Sequence, residues 1–242
     1  MKLPKKKIRY IAEGLLAQMG LIKPKLKESR ESWESVAQEF EFEYHENTRY
    51  SETDYYIEKS KLLFSSFGFD PGQFSDKVIM DIGSGSRLKG KYFNKAKLIV
   101  IEPLANRYLE NLDWSDLNDA SAVYSVPAEE LIVELMDSAD FIFSINALDH
   151  CFDFGKVMQN IFEYLKPGGL AFLSFDMHYH STLGHPLVLT DKGCQAVFQE
   201  GGFFVERHSK GFGKEFRKHR DINGYDLSST CINYWLRKPA KA

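Results

Sequence analysis

Residues 77–87, KVIMDIGSGSR, constrain the fold more than any other part of this chain. An apolar run that contains one acid, Asp81, is typical of a strand buried on both faces of a parallel sheet. Gly83 and Gly85 follow at once, and glycine lets the backbone turn tightly while a ligand approaches closely. About twenty residues further on, a second apolar strand ends in Glu102, whose carboxylate can accept hydrogen bonds from both hydroxyls of a ribose. The two strands predict a site for a nucleoside-containing cofactor.

The residue sequence of this turn distinguishes a dinucleotide-binding site from an S-adenosylmethionine-binding site. A dinucleotide site needs a third glycine, where the following helix packs on the strand and faces the pyrophosphate. Leu88 occupies that position, and Gly90 is out of register. Asp81 would repel an anionic pyrophosphate, whereas it attracts the ammonium and sulfonium groups of S-adenosylmethionine. The pattern therefore favours S-adenosylmethionine; a nicotinamide-dependent oxidoreductase and an ordinary βα turn without a ligand are the alternatives.

Composition and charge narrow the class of partner. The net charge of −3 and the pI near 6.2 leave no broad basic field, so nucleic acid is not an expected partner. The three cysteines are scattered, with neither pairing logic nor metal-ligand spacing: Cys151, Cys194 and Cys231. They are typical of reduced thiols in a cytoplasmic protein. No segment approaches the ~20 apolar residues of a membrane span.

The N-terminal segment, residues 1–22, predicts an amphipathic helix with a basic start. Five apolar residues recur at helical spacing on one face: Ile8, Ile11, Leu15, Met19 and Ile22. One interpretation docks this helix on its own domain or on a second subunit. The other is peripheral contact with an anionic membrane, where a lipid-linked substrate would be found. The sequence does not predict an oligomeric state.

Two regions differ in their predicted secondary structure. Residues 1–76 lack strand patterns and predict helices over 33–46 and 54–67, with Tyr56, Lys59, Leu63 and Phe67 on one face of the second. We interpret 1–76 as a helical cap over the cofactor cleft and 77–242 as the cofactor-binding domain. In the latter, strands alternate with helices, as βαβ units require. The expected strands are 77–83, 97–102, 121–126, 140–146, 170–177, 203–211 and 230–238.

Two helices of the second region have clear end signals. A helix over about 153–165 is expected to end at the segment KPGG, residues 166–169, because Pro167 cannot continue it and glycine favours a C-terminal stop. Residues 190–203 predict a short helix followed by a glycine turn.

Residues 77–175 resemble class I S-adenosylmethionine-dependent methyltransferases, particularly the type-11-like group that acts on small molecules. The resemblance rests on DIGSGS, IVIEP, VPAEEL (126–131), ADFIFSINALDHCFDF (139–154) and VMQNIFEYLKPGGLAFLSF (157–175). It implies an α/β fold with a Rossmann-like seven-stranded sheet, mostly parallel with an antiparallel last strand, plus the N-terminal helical cap. It also implies S-adenosyl-L-methionine as methyl donor, S-adenosyl-L-homocysteine as product and a small-molecule acceptor.

The resemblance assigns cofactor-binding roles to residues of this chain. The expected set is Asp81, Gly83, Ser84 and Gly85 at the methionine end, Glu102 at the ribose, Ala128 and Glu129 at the adenine, and Asn146 again at the methionine portion. The chain departs from the common pattern at Pro127, which replaces an acid that would bind the adenine amino group. Either Glu129 or a backbone carbonyl is expected to substitute. Asn146 as a plain polar loop residue is the alternative to its binding role.

Catalysis places fewer demands on the sequence, because methyl transfer is a direct displacement that depends on alignment and exclusion of water. A hydroxyl acceptor needs a base, and histidine is the usual choice. His150, with Asp149 beside it, is the best-placed candidate, and His185 is a second base or substrate contact; a structural role is the alternative for His150. His178, His180 and His185 invite a metal interpretation. The family rarely uses metal there, so none is expected.

The leading hypothesis is an S-adenosylmethionine-dependent methyltransferase, and the expected form is an O-methyltransferase acting on a sugar, a lipid-linked molecule or a secondary metabolite. Asn146 is followed by Ala-Leu-Asp, so the N-P-P-Y/F box of enzymes that methylate amino groups of nucleic-acid bases is absent. The non-enzyme alternative is a catalytically silent, methyltransferase-like binding protein, which Pro127 and the unassigned base leave open.

Overall fold

The computed structural model describes residues 30–178, 181–182, 184–211 and 231–240. The predicted amphipathic helix over residues 1–22 and His180 lie outside these ranges. Among the described residues, no helix is both long and apolar enough to cross a bilayer.

The core is a seven-stranded sheet in the order β3-β2-β1-β4-β5-β7-β6. Strands β1 to β5 are parallel, and β7 runs antiparallel between β5 and β6. The fold class predicted from the sequence is thereby confirmed. The strands are β1 (Val78–Ile82), β2 (Lys97–Ile101), β3 (Ala122–Tyr124), β4 (Ala139–Ile145), β5 (Leu165–Asp176), β6 (Phe204–Lys210) and β7 (Cys231–Arg237).

Five helices surround this sheet in the described part of the chain. The first, α1, begins with Arg30–Ser32, passes through a π-helical segment Trp33–Ala37 and continues as Gln38–Asn47. The others are α2 (Thr53–Ser66), α3 (Ala105–Asn111), α4 (Phe154–Tyr164) and α5 (Asp191–Glu200). The predicted helices over 33–46 and 54–67 are confirmed, as is the short helix before the glycine turn at 201–202.

An aromatic cluster joins α2 to one face of the sheet. Phe64 meets Phe143 of β4 with ring centroids 5.1 Å apart, and Phe67 meets Phe172 of β5 at 4.8 Å. Such ring pairs add about 0.5–1.5 kcal/mol beyond the area they bury. Helices α4 and α5 cover the opposite face, where their apolar residues pack on the same central strands. Strands β1 and β4 are therefore buried on both sides, which explains their nearly continuous apolar sequence.

Two crossovers differ from the predicted alternation of strands and helices. The links β1–β2 and β3–β4 contain only short 3₁₀ turns, Lys89–Tyr92 and Val133–Leu135. In the first link a Cβ on Gly90 would lie 2.9 Å from Cδ2 of Leu98, so the backbone itself packs on the sheet. In an α-helix at this place the side chains would contact β2, and the backbone would lie further from the sheet than it does here.

The helix before KPGG ends within one residue of its predicted end, but the next strand begins at once. Helix α4 stops at Tyr164, and Leu165 is already extended and begins β5, five residues before the predicted strand. The residue before a proline is driven out of the helical region, so the restriction from Pro167 already acts on Lys166. Gly168, at φ +80°, donates its N–H to the carbonyl of Lys238 instead of ending the helix.

Candidate active site

A cavity of about 1170 Å³, its solvent-open mouth included, lies at the carboxyl ends of β1, β2 and β4. Open α/β sheets bind ligands at this edge, where the loops after neighbouring strands converge. Helices α1 and α2 form its roof with side chains that include Trp33, His45 and Tyr56. Gly83, Gly85 and Glu102, which the sequence predicts at the cofactor, line this cavity together with the candidate base His150.

The glycine turn after β1 forms part of the cavity wall. Gly83 and Gly85 have φ values of +70° and +65°, a region that other residues rarely adopt. A Cβ on Gly83 would lie 2.3 Å from Cβ of Ala147, and one on Gly85 would lie 2.3 Å from Cε1 of His45. The loop after β4 and helix α1 thus pack directly against the turn, and only glycine fits between them.

Asp81 is buried beside the cavity rather than exposed on its wall. It is 3% exposed, and neither of its carboxylate oxygens has a hydrogen-bond partner in the described structure. Burial raises its pKa to about 7, with Lys89 opposing and Glu102 adding to the shift. A buried carboxylate without a partner is costly unless a cation or donor comes to it. The ammonium of S-adenosylmethionine supplies both, so this residue fits the cofactor.

Glu102 lies at the end of β2 and lines the cavity. One carboxylate oxygen accepts the N–H of Gly85 at 2.9 Å, and the other accepts the N–H of Leu104 at 3.0 Å. Burial raises its pKa to about 7, although these two backbone bonds act in the opposite direction. Each oxygen keeps acceptor capacity for a ribose hydroxyl. The side chain is held in place at the position where the sequence predicts the ribose.

The predicted adenine residues, Ala128 and Glu129, both line the cavity. Oε1 of Glu129 accepts the N–H groups of Phe152 and Asp153 at 2.8 and 3.1 Å, and the carbonyl of Ala128 accepts the side-chain amide of Asn160 at 2.9 Å. These bonds fix the loop after β3 against the start of α4. The Ala128 carbonyl and this oxygen of Glu129 are therefore already engaged within the protein.

Ser84 and Asn146 differ in their access to the cavity. The hydroxyl of Ser84 donates to the carbonyl of Gly85 at 3.0 Å, and the side chain is buried away from the wall. Asn146 lines the cavity at the end of β4, with φ +53° and its N–H donated to the carbonyl of Ser174 at 2.7 Å. Ser84 shapes the turn, whereas Asn146 faces the ligand space.

Helix α1 closes on the glycine turn through His45, which the sequence analysis did not single out. Its Nδ1 lies 2.7 Å from the hydroxyl of Ser86, and its Nε2 lies 3.3 Å from Glu41. Burial lowers the pKa of this imidazole, although Glu41 acts in the opposite direction. The ring thus packs on the glycine turn and forms part of the cavity wall.

Two lysine side chains line the cavity. Nζ of Lys89 donates to the carbonyl of Ser84 at 2.6 Å, while Nζ of Lys59 donates to the hydroxyl of Tyr50 at 3.0 Å. Burial, aided by the charge on Lys89, holds the pKa of Lys59 well below its usual value. The only sequence signal for Lys59 was its helical spacing from Tyr56 and Leu63. That spacing predicted that the three side chains share one face of a helix, but it did not predict that Lys59 lines a cavity.

A cluster of imidazoles surrounds one buried carboxylate next to the cavity. Oδ2 of Asp149, a residue only 1% exposed, lies 3.0 Å from Nε2 of His178, 3.6 Å from Nε2 of His185 and 3.8 Å from Nε2 of His150. His150 lines the cavity, and its ring centroid lies 4.4 Å from that of His185. The two predicted catalytic residues are therefore brought together, around an acid that the sequence had paired only with His150.

Charge distributes unevenly over this cluster. Burial favours a neutral Asp149, but His150 and His178 hold its pKa below the usual value. Burial likewise opposes the charged form of His150, yet Asp149 and Glu41 raise its pKa. Burial and then the neighbouring His150 lower the pKa of His185 to about 4. At neutral pH the cluster thus holds an ionised carboxylate and a neutral His185.

Comparisons with known proteins agree with this geometry. Residues 51–209 match a protein family described as a methyltransferase domain. The match begins inside the predicted cap, and the domain boundary between residues 76 and 77 stays a prediction. A search of curated proteins found no match.

Solved structures share the fold at low sequence identity. A protein of Listeria monocytogenes described as an S-adenosylmethionine-dependent methyltransferase is 14% identical with a TM-score of 0.56, and the alignment covers 75% of this chain and 98% of that one. The 1,6-didemethyltoxoflavin-N1-methyltransferase of Burkholderia thailandensis is 14% identical with a TM-score of 0.55, and the alignment covers 90% of this chain and 100% of that one. A protein of Galdieria sulphuraria described as a sarcosine dimethylglycine methyltransferase is 17% identical with a TM-score of 0.55, and the alignment covers 77% of this chain and 87% of that one.

The family match spans more than half of the chain, and the buried acid, glycine turn and second acid are arranged for a cationic nucleoside. The chain belongs to the methyltransferase domain family and is an S-adenosylmethionine-dependent methyltransferase.

Proposed function

We propose that this enzyme methylates a hydroxyl group of a small molecule. The observation that carries the proposal is that Gly85, Glu102 and His150 line one cavity. Gly85 and Glu102 suit the adenosyl donor, and His150 suits an acceptor that must lose a proton. A sugar, a lipid-linked molecule or a secondary metabolite would meet these requirements.

The orientation of His150 supports its role toward a hydroxyl. Its Nδ1 lies 2.8 Å from the carbonyl of Gly184, and because a carbonyl only accepts, this nitrogen carries the hydrogen. In the neutral ring the lone pair is then on Nε2, the nitrogen nearer to Asp149. Proton transfer by a positioned base contributes about 10²–10⁴-fold to a rate. A hydroxyl needs this help when it attacks the methyl carbon, because its own pKa is high.

The sizes of the acceptors named for similar proteins support a small molecule. The Burkholderia structure is described with bound 1,6-didemethyltoxoflavin and S-adenosylhomocysteine, and it aligns along its whole length with this chain. A cavity covered by Trp33 and Tyr44 of α1 likewise suits a compact acceptor rather than a polymer. The net charge of −3 gives no electrostatic reason to expect nucleic acid.

The test is methyl transfer from isotope-labelled S-adenosylmethionine to a panel of hydroxyl compounds and to their amine counterparts. We expect product with hydroxyl acceptors, a loss of about 10²-fold or more in kcat for His150→Ala, and no change for the exposed His208→Ala control on β6. Methylation of the amines alone would overturn the hydroxyl assignment. Tight cofactor binding with no product from any acceptor would instead support the catalytically silent alternative.

A further inference from the structure

We infer that Asp149, His150 and His185 form a binding site for one divalent transition-metal ion, of which Zn²⁺ is the simplest probe. One ligand atom from each residue lies within 4.8 Å of the other two. Two imidazoles and one carboxylate form the facial set that holds transition metals with positions left open. The sequence analysis weighed a metal only for the histidines after β5 and expected none, because the resembled family rarely uses a metal there. The fold adds Asp149 and His150 from the loop after β4.

Both histidines present the nitrogen that a metal would need. Nδ1 of His150 donates to the carbonyl of Gly184 at 2.8 Å, and Nδ1 of His185 faces the hydroxyl of Thr182 at 3.3 Å. Their Nε2 atoms both lie toward Oδ2 of Asp149. A second contact on the far ring nitrogen is what fixes the tautomer and orientation of metal-binding histidines.

The separations between these atoms match a metal site. In a tetrahedral zinc site the ligand atoms lie about 3.3–3.5 Å apart, since each is about 2.0–2.2 Å from the metal. Oδ2 of Asp149 lies 3.6 Å from Nε2 of His185 and 3.8 Å from Nε2 of His150. These distances exceed a hydrogen bond and leave space for an ion between the three groups.

The surroundings of Asp149 support a ligand role for its carboxylate. Oδ2 lies 3.0 Å from Nε2 of His178, an outer contact that orients the group. Oδ1 is buried and has no hydrogen-bond partner in the described structure. A buried oxygen without a partner is costly, and a carboxylate that bound the cation through both of its oxygens would satisfy Oδ1 as well.

The role of the metal rests on the proposed function, although its binding does not. Because His150 lines the cavity, an open metal position there could take the acceptor hydroxyl and lower its pKa by direct coordination. His150 and His185 would then act as metal ligands, and the ion would do the work assigned above to the base.

Metal binding is measured without cofactor or acceptor, so its failure is separate from any failure of hydroxyl methylation. The full chain, without a polyhistidine tag and after treatment with a chelator, is titrated with ZnCl₂ by calorimetry and with CoCl₂ by visible absorption. We expect one ion per chain and the intense absorption of tetrahedral cobalt. His178→Ala should weaken zinc binding about 10–100-fold as an outer-contact variant.

His150→Ala and His185→Ala should each abolish stoichiometric binding, while the exposed His208→Ala control keeps it. The His185 side chain is 33% exposed, so its replacement leaves the core intact, and circular dichroism checks the fold of each variant. No zinc binding by the wild type, or binding that both ligand variants retain, would overturn the inference.

Discussion

The replacement Asp81→Asn should stabilise the folded enzyme at high pH while it removes cofactor binding. Burial raises the pKa of Asp81 from 3.8 to about 7. Each pKa unit corresponds to about 1.4 kcal/mol, so the ionised carboxylate destabilises the fold by at most about 4 kcal/mol. The asparagine amide would be buried without partners at a cost of about 1–3 kcal/mol. We therefore expect a net gain of about 1–3 kcal/mol, or about 2–4 °C in Tm for each kcal/mol.

The gain should depend on pH in a defined direction. Because the pKa of Asp81 is higher in the folded state than in the unfolded one, the wild type has its full stability below about pH 4 and loses part of it as the pH rises through about 7. The difference between Asp81→Asn and wild type should therefore be small or unfavourable near pH 4 and favourable near about pH 8. Denaturant unfolding at several pH values measures it.

Asp140 on β4 provides the matched control. Burial opposes its ionisation, but hydrogen bonds from Lys166 and the Val78 N–H lower its pKa, so it stabilises the fold above its unfolded pKa. Asp140→Asn should lower the free energy of unfolding by about 1 kcal/mol or less near neutral pH and leave binding of S-adenosylmethionine unchanged. An Asp81→Asn protein that is less stable near pH 8, or that still binds the cofactor with wild-type affinity, would refute the reasoning.

Three further changes test separate parts of the structure. Gly85→Ala places a Cβ 2.3 Å from His45 at φ +65°, so cofactor affinity in calorimetry should fall at least about 10-fold, whereas Gly72→Ala, with open space around it, should not change it. Glu102→Gln should weaken S-adenosylmethionine about 10-fold or more by replacing one ribose acceptor with a donor, and equal affinity would contradict the ribose assignment. Phe64→Ala should cost about 3–5 kcal/mol in denaturant unfolding, and a cost below about 1 kcal/mol would mean that α2 is not part of the core.

The sequence predicted the features that depend on local pattern. The apolar runs of β1 and β4 identified the central strands because those strands are buried on both faces. The order of Asp81, Gly83, Gly85 and Glu102 predicted a cofactor site at one edge of the sheet, because the carboxyl ends of parallel strands meet there, and the last three of these residues do line one cavity.

Features that depend on contacts between distant segments could not be predicted in the same way. His45 reaches Ser86 from a helix forty-one positions earlier, and His178 reaches Asp149 across twenty-nine positions. No periodicity in the chain records either approach. The 3₁₀ turn that stands in place of a helix before β2 brings the backbone at Gly90 close to Leu98, a tertiary contact that the local sequence pattern does not encode.

A crystal structure of the enzyme with S-adenosylhomocysteine would test most directly whether one cavity aligns donor and acceptor. We expect the ribose hydroxyls to lie within hydrogen-bond distance of Glu102 and the sulfur to face His150 across the cavity. A bound molecule that lies outside this cavity, or whose sulfur faces away from His150, would contradict the account.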